Sequence, residues 1–404
     1  MQPVEDARAR ILAAFAPLPA ETVNVAEALG RVLAEDLTSR VTQPPKNLSA
    51  MDGYAVRAAD VAEAPVTLRV VGDVPAGSHY PGALDVGEAV RIFTGGPLPA
   101  GADTIVIQEN ATRDDDRVTI HQGAAAGTYV RPAGLDFTAG QIGICAGRRL
   151  TSRDVGLAAA MNRPWLRVHR RPRVAILATG DEIVLPGDPL MENQIVSSNG
   201  FALAAFVQAC GGEPLHLGIA PDDAAALGDM IDGARGSDML LTSGGASVGQ
   251  HDLVQDVLRR NGAEIDFWKI AMRPGKPLMF GRLGNTPVVG LPGNPVSSLV
   301  CAAIFARPAI ARMLGQESPV PESARAVLGC DLPANDRRQD YLRARLETDG
   351  NGKQVATPFN KQDSSMLTRM ARADCLVVRP PEAPPAKAGD AVEIVPFGGG
   401  HLEI

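Results

Sequence analysis

The sequence predicts an α/β multidomain protein: a central doubly wound parallel α/β domain, flanking small β domains and an N-terminal helical segment. Three observations predict it. Between residues 171 and 315, short apolar runs alternate with helical patterns, the signature of βαβ units. From 41 to 139, β-rich runs are cut by Pro/Gly clusters and no long helical period occurs. Finally, 42 Gly and 32 Pro in 404 residues supply turns for many short elements, and the length allows two to four domains.

The elements follow in order. Val4, Ala7, Ile11, Leu12 and Phe15 stand at helical spacing, so 4–16 reads as an amphipathic helix. Val25 to Leu37 reads as a second helix with Gly30 as its weak point, and Asp154 to Asn162 as a third before Pro164. Residues 1–40 and 140–170 are therefore expected to form a helical linking domain. Val66–Val71 and Thr104–Gln108 are strands of a small β domain over 41–139. In the α/β domain, 171–315, the strands are Val174–Ala178, Met239–Leu241 and Val288–Leu291. Its helices are 199–209, with Asn199 as a cap and Gly211-Gly212 as the stop, then 224–234, 252–260 and 296–313. Gln316–Ser323 reads as a linker. A C-terminal β domain, 324–404, carries strands at Tyr341–Leu346 and Cys375–Val378.

Composition excludes several classes. Hydrophobic residues at 45% with 21% charged residues describe a folded globular chain. The net charge of −7, from 39 Lys+Arg against 46 Asp+Glu, leaves no positive field to collect nucleic acid. The five cysteines (Cys145, Cys210, Cys301, Cys330, Cys375) are odd in number, widely spaced and without a CxxC pair, as in a reduced compartment. Met1 to Arg10 has no apolar signal core, and no apolar run approaches the ~20 residues of a membrane span. A soluble cytoplasmic protein is expected. The six histidines form no HxH or HExxH pair, and no GxSxG elbow occurs.

Three loops in the α/β domain carry chemistry. They are Thr179-Gly180-Asp181-Glu182, then Thr242-Ser243-Gly244-Gly245-Ala246-Ser247-Val248-Gly249, then Leu291-Pro292-Gly293-Asn294-Pro295-Val296-Ser297. Each follows an apolar strand, and loops at the carboxyl ends of such strands line the ligand crevice. Glycines let backbone N–H groups approach an anion, and Pro295 suits the first turn of a helix. Together the loops read as a phosphate cradle. Asp181, Glu182 and Asp252 place carboxylates beside it, oxygen donors of the kind Mg²⁺ takes. Lys269, Arg273 and Lys276 concentrate cations in an acidic chain, a fork and point charges suited to an oxyanion. In the β domain, Asp52 lies in Ser49-Ala50-Met51-Asp52-Gly53-Tyr54-Ala55, Thr94 opens Thr94-Gly95-Gly96-Pro97-Leu98-Pro99, and Asp136 closes Arg131-Pro132-Ala133-Gly134-Leu135-Asp136. By themselves these three read as turns.

Read in order, the runs SAMDGYAV (49–56), TGGPLP (94–99), RPAGLD (131–136), TGDEI (179–183), SGGASVG (243–249), KIAMRPGKP (269–277) and LPGNPVSS (291–298) closely resemble the molybdopterin molybdenumtransferase family, which includes the E domain of gephyrin. A weaker match covers Tyr341-Leu342-Arg343 and Ser364-Ser365-Met366-Leu367, so the resemblance spans essentially the whole chain. It implies an elongated four-part subunit, usually a homodimer, that inserts molybdate into adenylylated molybdopterin with Mg²⁺ and release of AMP. It also implies that Asp52, Thr94, Asp136, Glu182, Asp222, Asp252, Lys269 and Arg273 line the active cleft. Arg273, Lys276, Arg343 and Ser365 would hold molybdate, and Asp252 with Glu182 would hold the metal. In the family the cleft lies between subunits, which implies that Asp52 and Thr94 of one chain meet the α/β loops of the other.

Two departures stand out: Arg273 replaces a common Lys, and Gln250 replaces a common acid. Two other readings stand beside the transferase. A molybdopterin adenylyltransferase would account only for the α/β segment. A non-catalytic scaffold would leave the carboxylates and cations without a role.

Overall fold

The computed structural model describes residues 1–75, 77–244, 253–267, 269–317 and 323–397, and divides into two compact units. One comprises Met1–Glu35, Ala146–Arg153 and the chain from Leu166 onward; the other comprises Asp36–Cys145 and Asp154–Trp165.

The first unit is built on a six-stranded sheet. Its strands are β1 (Arg173–Thr179), β2 (Glu213–Ala220), β3 (Met239–Ser243), β4 (Ala263–Phe267), β5 (Met279–Leu283) and β6 (Thr286–Leu291), in the spatial order β2-β1-β3-β6-β5-β4. The four strands from β2 to β6 pair in parallel. Both faces are covered, and period 2 in the sequence sorts the side chains between them. Val174 and Ile176 of β1 join a core with Leu203, Val207, Val300 and Phe305, while Ala175 and Leu177 join another with Leu227, Ile231 and Val257. The expected doubly wound domain is present, and the helices lie at Asn199–Ala209, Ala224–Asp232, Leu253–Arg260 and from Pro295 to Met313.

The sheet is not purely parallel. β5 runs antiparallel to β6, and β4 antiparallel to β5. β2 and β4 carry alternating or exposed patterns at the two edges of the sheet, so neither shows the continuous apolar run that marks a buried strand.

Helix Val4–Ala13 buries Val4, Ala7 and Ile11, as its spacing predicts. The expected helix over Val25–Leu37 does not form. Only the 3₁₀ turn Val25–Glu27 is helical, capped by Asn24 Oδ1, which accepts from the Ala26 N–H at 2.9 Å. Gly30 takes φ +73°, which ends any helix, and Gly30 and Leu33 donate their N–H groups to the Leu150 and Arg148 carbonyls. Long-range backbone pairing overrides a marginal local pattern here.

The C-terminal module closes five strands into a ring. Gln339–Thr348 pairs with both Gln354–Pro358 and Cys375–Arg379, and Ala391–Pro396 and Ala324–Leu328 complete the circuit. The short strand Met272–Arg273 adds to it through Gln339 and Asp340. The second unit holds a six-stranded sheet containing Gly53–Val56, Val66–Val74, Glu88–Ile92 and Thr104–Ile107, with two small cores around Val56 and Ile92. In 41–139 the described helical residues are 3₁₀ turns, as expected for a β domain.

Pro295–Met313 is long and apolar enough to cross a membrane, but 83% of that window is buried inside the fold. It is a core helix packed on the sheet. All five cysteines are free thiols.

Candidate active site

In the sheet the chain moves from β1 to β2 on one side and returns to β3 on the other, which opens a crevice at the carboxyl ends of the strands. A cavity of about 680 Å³ lies there. Gly180 and Glu182 from the loop after β1, Ser243 and Gly244 after β3, and Pro292, Gly293, Asn294, Pro295 and Ser297 after β6 all line it. Asp222, just beyond β2, and Ser365, from the C-terminal module, complete the predicted residues on its wall.

Local chemistry explains the loops. Gly244 has φ +97°, and a Cβ there would stand 2.6 Å from the Thr179 carbonyl oxygen, so a side chain is excluded twice over. Gly180 has φ +136°, and a Cβ would collide with the Glu182 carboxylate. Asn294 keeps an extended backbone and Pro295 opens the following helix, where a missing N–H costs nothing. The loop containing Ser364 and Ser365 docks on this helix start. Val296 donates its N–H to the Ser364 carbonyl at 3.1 Å, and Asn294 Nδ2 donates to Ser364 Oγ at 3.0 Å.

Asn199 has a part that the sequence did not reveal. It is the first helical residue rather than the cap, with Ser198 in the cap position. Its Nδ2 donates to Ser243 Oγ at 2.8 Å and to the Gly293 carbonyl at 2.6 Å, joining the second and third loops. Ser197 and Ser198 also line the cavity and were not singled out, as does Thr179 at the head of the first loop. The short polar stretch before a helix was the signal, but it has the same appearance as an ordinary cap.

The carboxylates share one environment. The Asp222 carboxyl is pushed above its usual range, first by burial and then by the negative charges of Asp181 and Glu182. Asp181 Oδ1 accepts from the Asp222 N–H at 2.9 Å, so it braces this corner without lining the cavity. Glu182 and Asp222 present oxygen donors of the kind Mg²⁺ takes together with water and phosphate. Among the described residues no three His, Cys, Asp or Glu side chains converge as a metal site. Asp252, the expected metal ligand, and Gly245, Ser247, Gly249 and Gln250 lie outside the described residues.

The predicted cations separate. Arg273 donates from Nε to Asp340 Oδ1 at 2.8 Å and from Nη1 to Asp336 Oδ2 at 3.3 Å, while Nη2 bonds Asp340 Oδ2 and Asn335. The guanidinium is held in its charged form by Asp340 and does not line the cavity. Lys276 is exposed beside Pro277, which does line it. Lys269 is half-buried, and its carbonyl accepts from the Gln2 N–H at 2.9 Å. Arg343 is fully buried. Its Nη2 donates to the Asp363 carbonyl at 3.0 Å, and among the described residues its Nε and Nη1 have no partner. Burial lowers its affinity for the proton, opposed by Asp363. Asp363 in turn accepts from the Ser365 hydroxyl at 2.6 Å and the Ser365 N–H at 2.8 Å. Arg343 itself does not line the cavity; it is joined through Asp363 to Ser365, which does, and two donors unpaired among the described residues are of the kind an oxyanion takes.

In the second unit, Asp52 Oδ1 accepts from both the Thr94 N–H at 2.7 Å and the Thr94 hydroxyl at 2.8 Å, which holds the carboxyl below its usual range. Asp136 is exposed, and its N–H donates to the Gln43 carbonyl at 3.0 Å.

Known proteins resemble this chain along its whole length. Residues 2–162 match the MoeA N-terminal region (domains I and II), 175–312 the probable molybdopterin-binding domain, and 325–397 the MoeA C-terminal region (domain IV). A molybdopterin molybdenumtransferase of Haemophilus influenzae is 34% identical over 100% of both chains. One from a Nostoc species is 37% identical over 89% of this chain and 85% of its own. The crystal structure of a molybdopterin biosynthesis MoeA protein from Pyrococcus horikoshii superposes with a TM-score of 0.84 at 34% identity, covering 98% of this chain and 99% of that one. With the fold, the loop cavity and full-length relatives in accord, the chain belongs to the molybdopterin molybdenumtransferase family and is a transferase.

Proposed function

We propose that this transferase inserts molybdate into the dithiolene of adenylylated molybdopterin and releases AMP, with Mg²⁺ bound. The observation that carries the proposal is the single cavity at which three Gly-rich strand-end loops, two carboxylates and Ser365 meet. The loops offer backbone N–H groups and a helix start to the phosphate groups. Glu182, with Asp222 beside it and Asp252 by resemblance, would hold Mg²⁺, which when bound withdraws charge from the phosphoanhydride. Lys276, Arg343 and Ser365 would receive the molybdate dianion, and the two unpaired donors of Arg343 support that role. Arg273 would act one step away, through Asp340, by holding the turn that presents Lys276. Asn199 would keep the second and third loops in register. The protein's contribution is then position and charge, with no covalent intermediate on a side chain.

The proposal extends to a cytoplasmic homodimer in which Asp52 and Thr94 act on the site of the other copy; sedimentation of the purified chain tests the dimer. The decisive assay incubates the protein with adenylylated molybdopterin, Mg²⁺ and molybdate. AMP release and cofactor formation without ATP are expected. A strict need for ATP would favour the adenylyltransferase, and absence of turnover a scaffold.

A further inference from the structure

Beside Asp52, in the second unit, Arg91 lies in the strand Glu88–Ile92 as the cross-strand partner of Tyr54 in Gly53–Val56. Its guanidinium carbon is 5.2 Å from the centre of the Tyr54 ring and 4.8 Å from that of the Phe93 ring. Both contacts follow from strand geometry. A residue directly opposite is within side-chain reach, and a residue two places on points to the same side. Two ring faces attract the cation and limit its rotation.

Held in this way, the fork serves the corner that carries Asp52. Arg91 Nη1 donates to the Gly53 carbonyl at 3.2 Å and Nη2 to Gln108 Oε1 at 2.6 Å. Gln108 in turn donates its N–H to the Asp52 carbonyl at 3.1 Å, so the carbonyls of Asp52 and Gly53 belong to one network. Gly53 packs tightly against the next strand, where a Cβ would collide with the Val106 carbonyl oxygen. The Asp52 side chain leaves this corner half-buried. Its Oδ1 is taken by Thr94, and among the described residues its Oδ2 accepts no hydrogen bond. The Thr94 bonds hold the carboxyl below its usual range; partial desolvation opposes them, and the Arg91 charge adds to them.

We propose that Arg91 is a positioning residue of the reaction: by clamping the Asp52–Gly53 corner it presents Asp52 Oδ2 as a fixed, free acceptor for a donor group of the substrate. This rests on the role proposed for Asp52 and names what holds that side chain in place. The fork matters as much as the charge. One planar group reaches two acceptors while seated against two rings, whereas a lysine offers its charge from a single point.

The test measures AMP release by the full-length protein with adenylylated molybdopterin, Mg²⁺ and molybdate. A carbon-13 NMR titration of the Asp52 carboxyl, assigned by its loss in Asp52→Asn, runs beside it. Arg91→Met keeps an apolar stem and removes the fork, Arg91→Lys keeps the charge, and Gln108→Ala removes one acceptor of the fork at an exposed position. In Arg91→Met, kcat should fall about ten- to a hundredfold with KM within about twofold, the scale of a reacting group displaced by about 1 Å. The Asp52 titration should move up, and the acid limb of kcat/KM should move to higher pH with it, because the ionised carboxylate is the acceptor. Arg91→Lys should restore the titration and the acid limb but only part of kcat. Gln108→Ala should lower kcat by a smaller factor. In an Asp52→Asn background, adding Arg91→Met should change the rate by less than about twofold, since residues acting as a unit are not additive. Losses that multiply there, or a titration and acid limb that stay in place in Arg91→Met, make Arg91 a merely structural residue and overturn the inference. Should Arg91→Met fail to fold, unchanged kcat in both Arg91→Lys and Gln108→Ala overturns it. Full turnover in Asp52→Asn would overturn the role of Asp52 itself, whereas an inactive Asp52→Asn with an unmoved titration in Arg91→Met overturns only the part given to Arg91.

Discussion

Replacing Asn199 by alanine would remove the one side chain seen to bond both the Ser243 hydroxyl and the Gly293 carbonyl. The two lost bonds are unequal. Ser243 is 2% exposed, so its hydroxyl would lose a partner that water cannot easily replace, whereas the Gly293 carbonyl lies at an exposed site. A net bond contributes about 0.5–1.5 kcal/mol and a stranded buried group costs about 1–3 kcal/mol. The sum expected for Asn199→Ala is therefore about 1.5–4.5 kcal/mol, a fall in thermal midpoint of about 2–4 °C for each kcal/mol in a domain of this size. Turnover should fall as well, at temperatures where the fold is intact. Loops displaced by about 1 Å lose about a hundredfold in rate, so AMP release should drop ten- to a hundredfold, mostly in kcat. Asn199→Asp should fall further, because its carboxylate would face the Gly293 carbonyl and add negative charge near Glu182 and Asp222. A double-mutant cycle with Ser243→Ala, read by thermal midpoint and by AMP release, isolates the contact and should show coupling of about 0.5–2 kcal/mol. An Asn199→Ala protein with unchanged midpoint and turnover, or a strictly additive cycle, would refute the reasoning.

Gly244→Ala places a methyl 2.6 Å from the Thr179 carbonyl at φ +97°, so it should cost about 1–3 kcal/mol by urea unfolding and depress AMP release. Arg343→Met removes a buried guanidinium with two unpaired donors; thermal stability should hold within about 1 kcal/mol or rise, while molybdate-dependent turnover is lost. The Asp336 carboxyl is held at about 2 by hydrogen bonds from Arg338, against 3.8 when free. Its folded value is depressed, so its stabilisation is present above about pH 4 and fades as pH falls towards 2. Asp336→Asn should flatten the acid limb of a thermal-midpoint-against-pH curve in that window, and an unchanged limb would contradict this.

The loop residues were legible in the sequence because their chemistry is local. Gly180, Gly244 and Asn294-Pro295 answer to backbone geometry and helix starts, which neighbouring residues dictate. The buried strands β1, β3 and β6 were legible for a related reason, since two covered faces demand an unbroken apolar run. The edge strands β2 and β4 escaped because half-exposed residues carry no such demand, and Val25–Leu37 misled because its helical spacing was overruled by pairing with Arg148 and Leu150. Long-range contacts alone decided the rest. Arg273 could be read as an anion ligand until Asp340, 67 residues away, took its fork, and Asn199 could be read as a cap until the sheet brought Gly293 to it across 94 residues. The order of motifs thus determined the family, and local backbone rules determined the shapes of the loops that line the cavity. Which side chains face the ligand and which face one another was decided by tertiary structure, because hydrogen-bond partners and burial belong to the packed chain and not to any stretch of it.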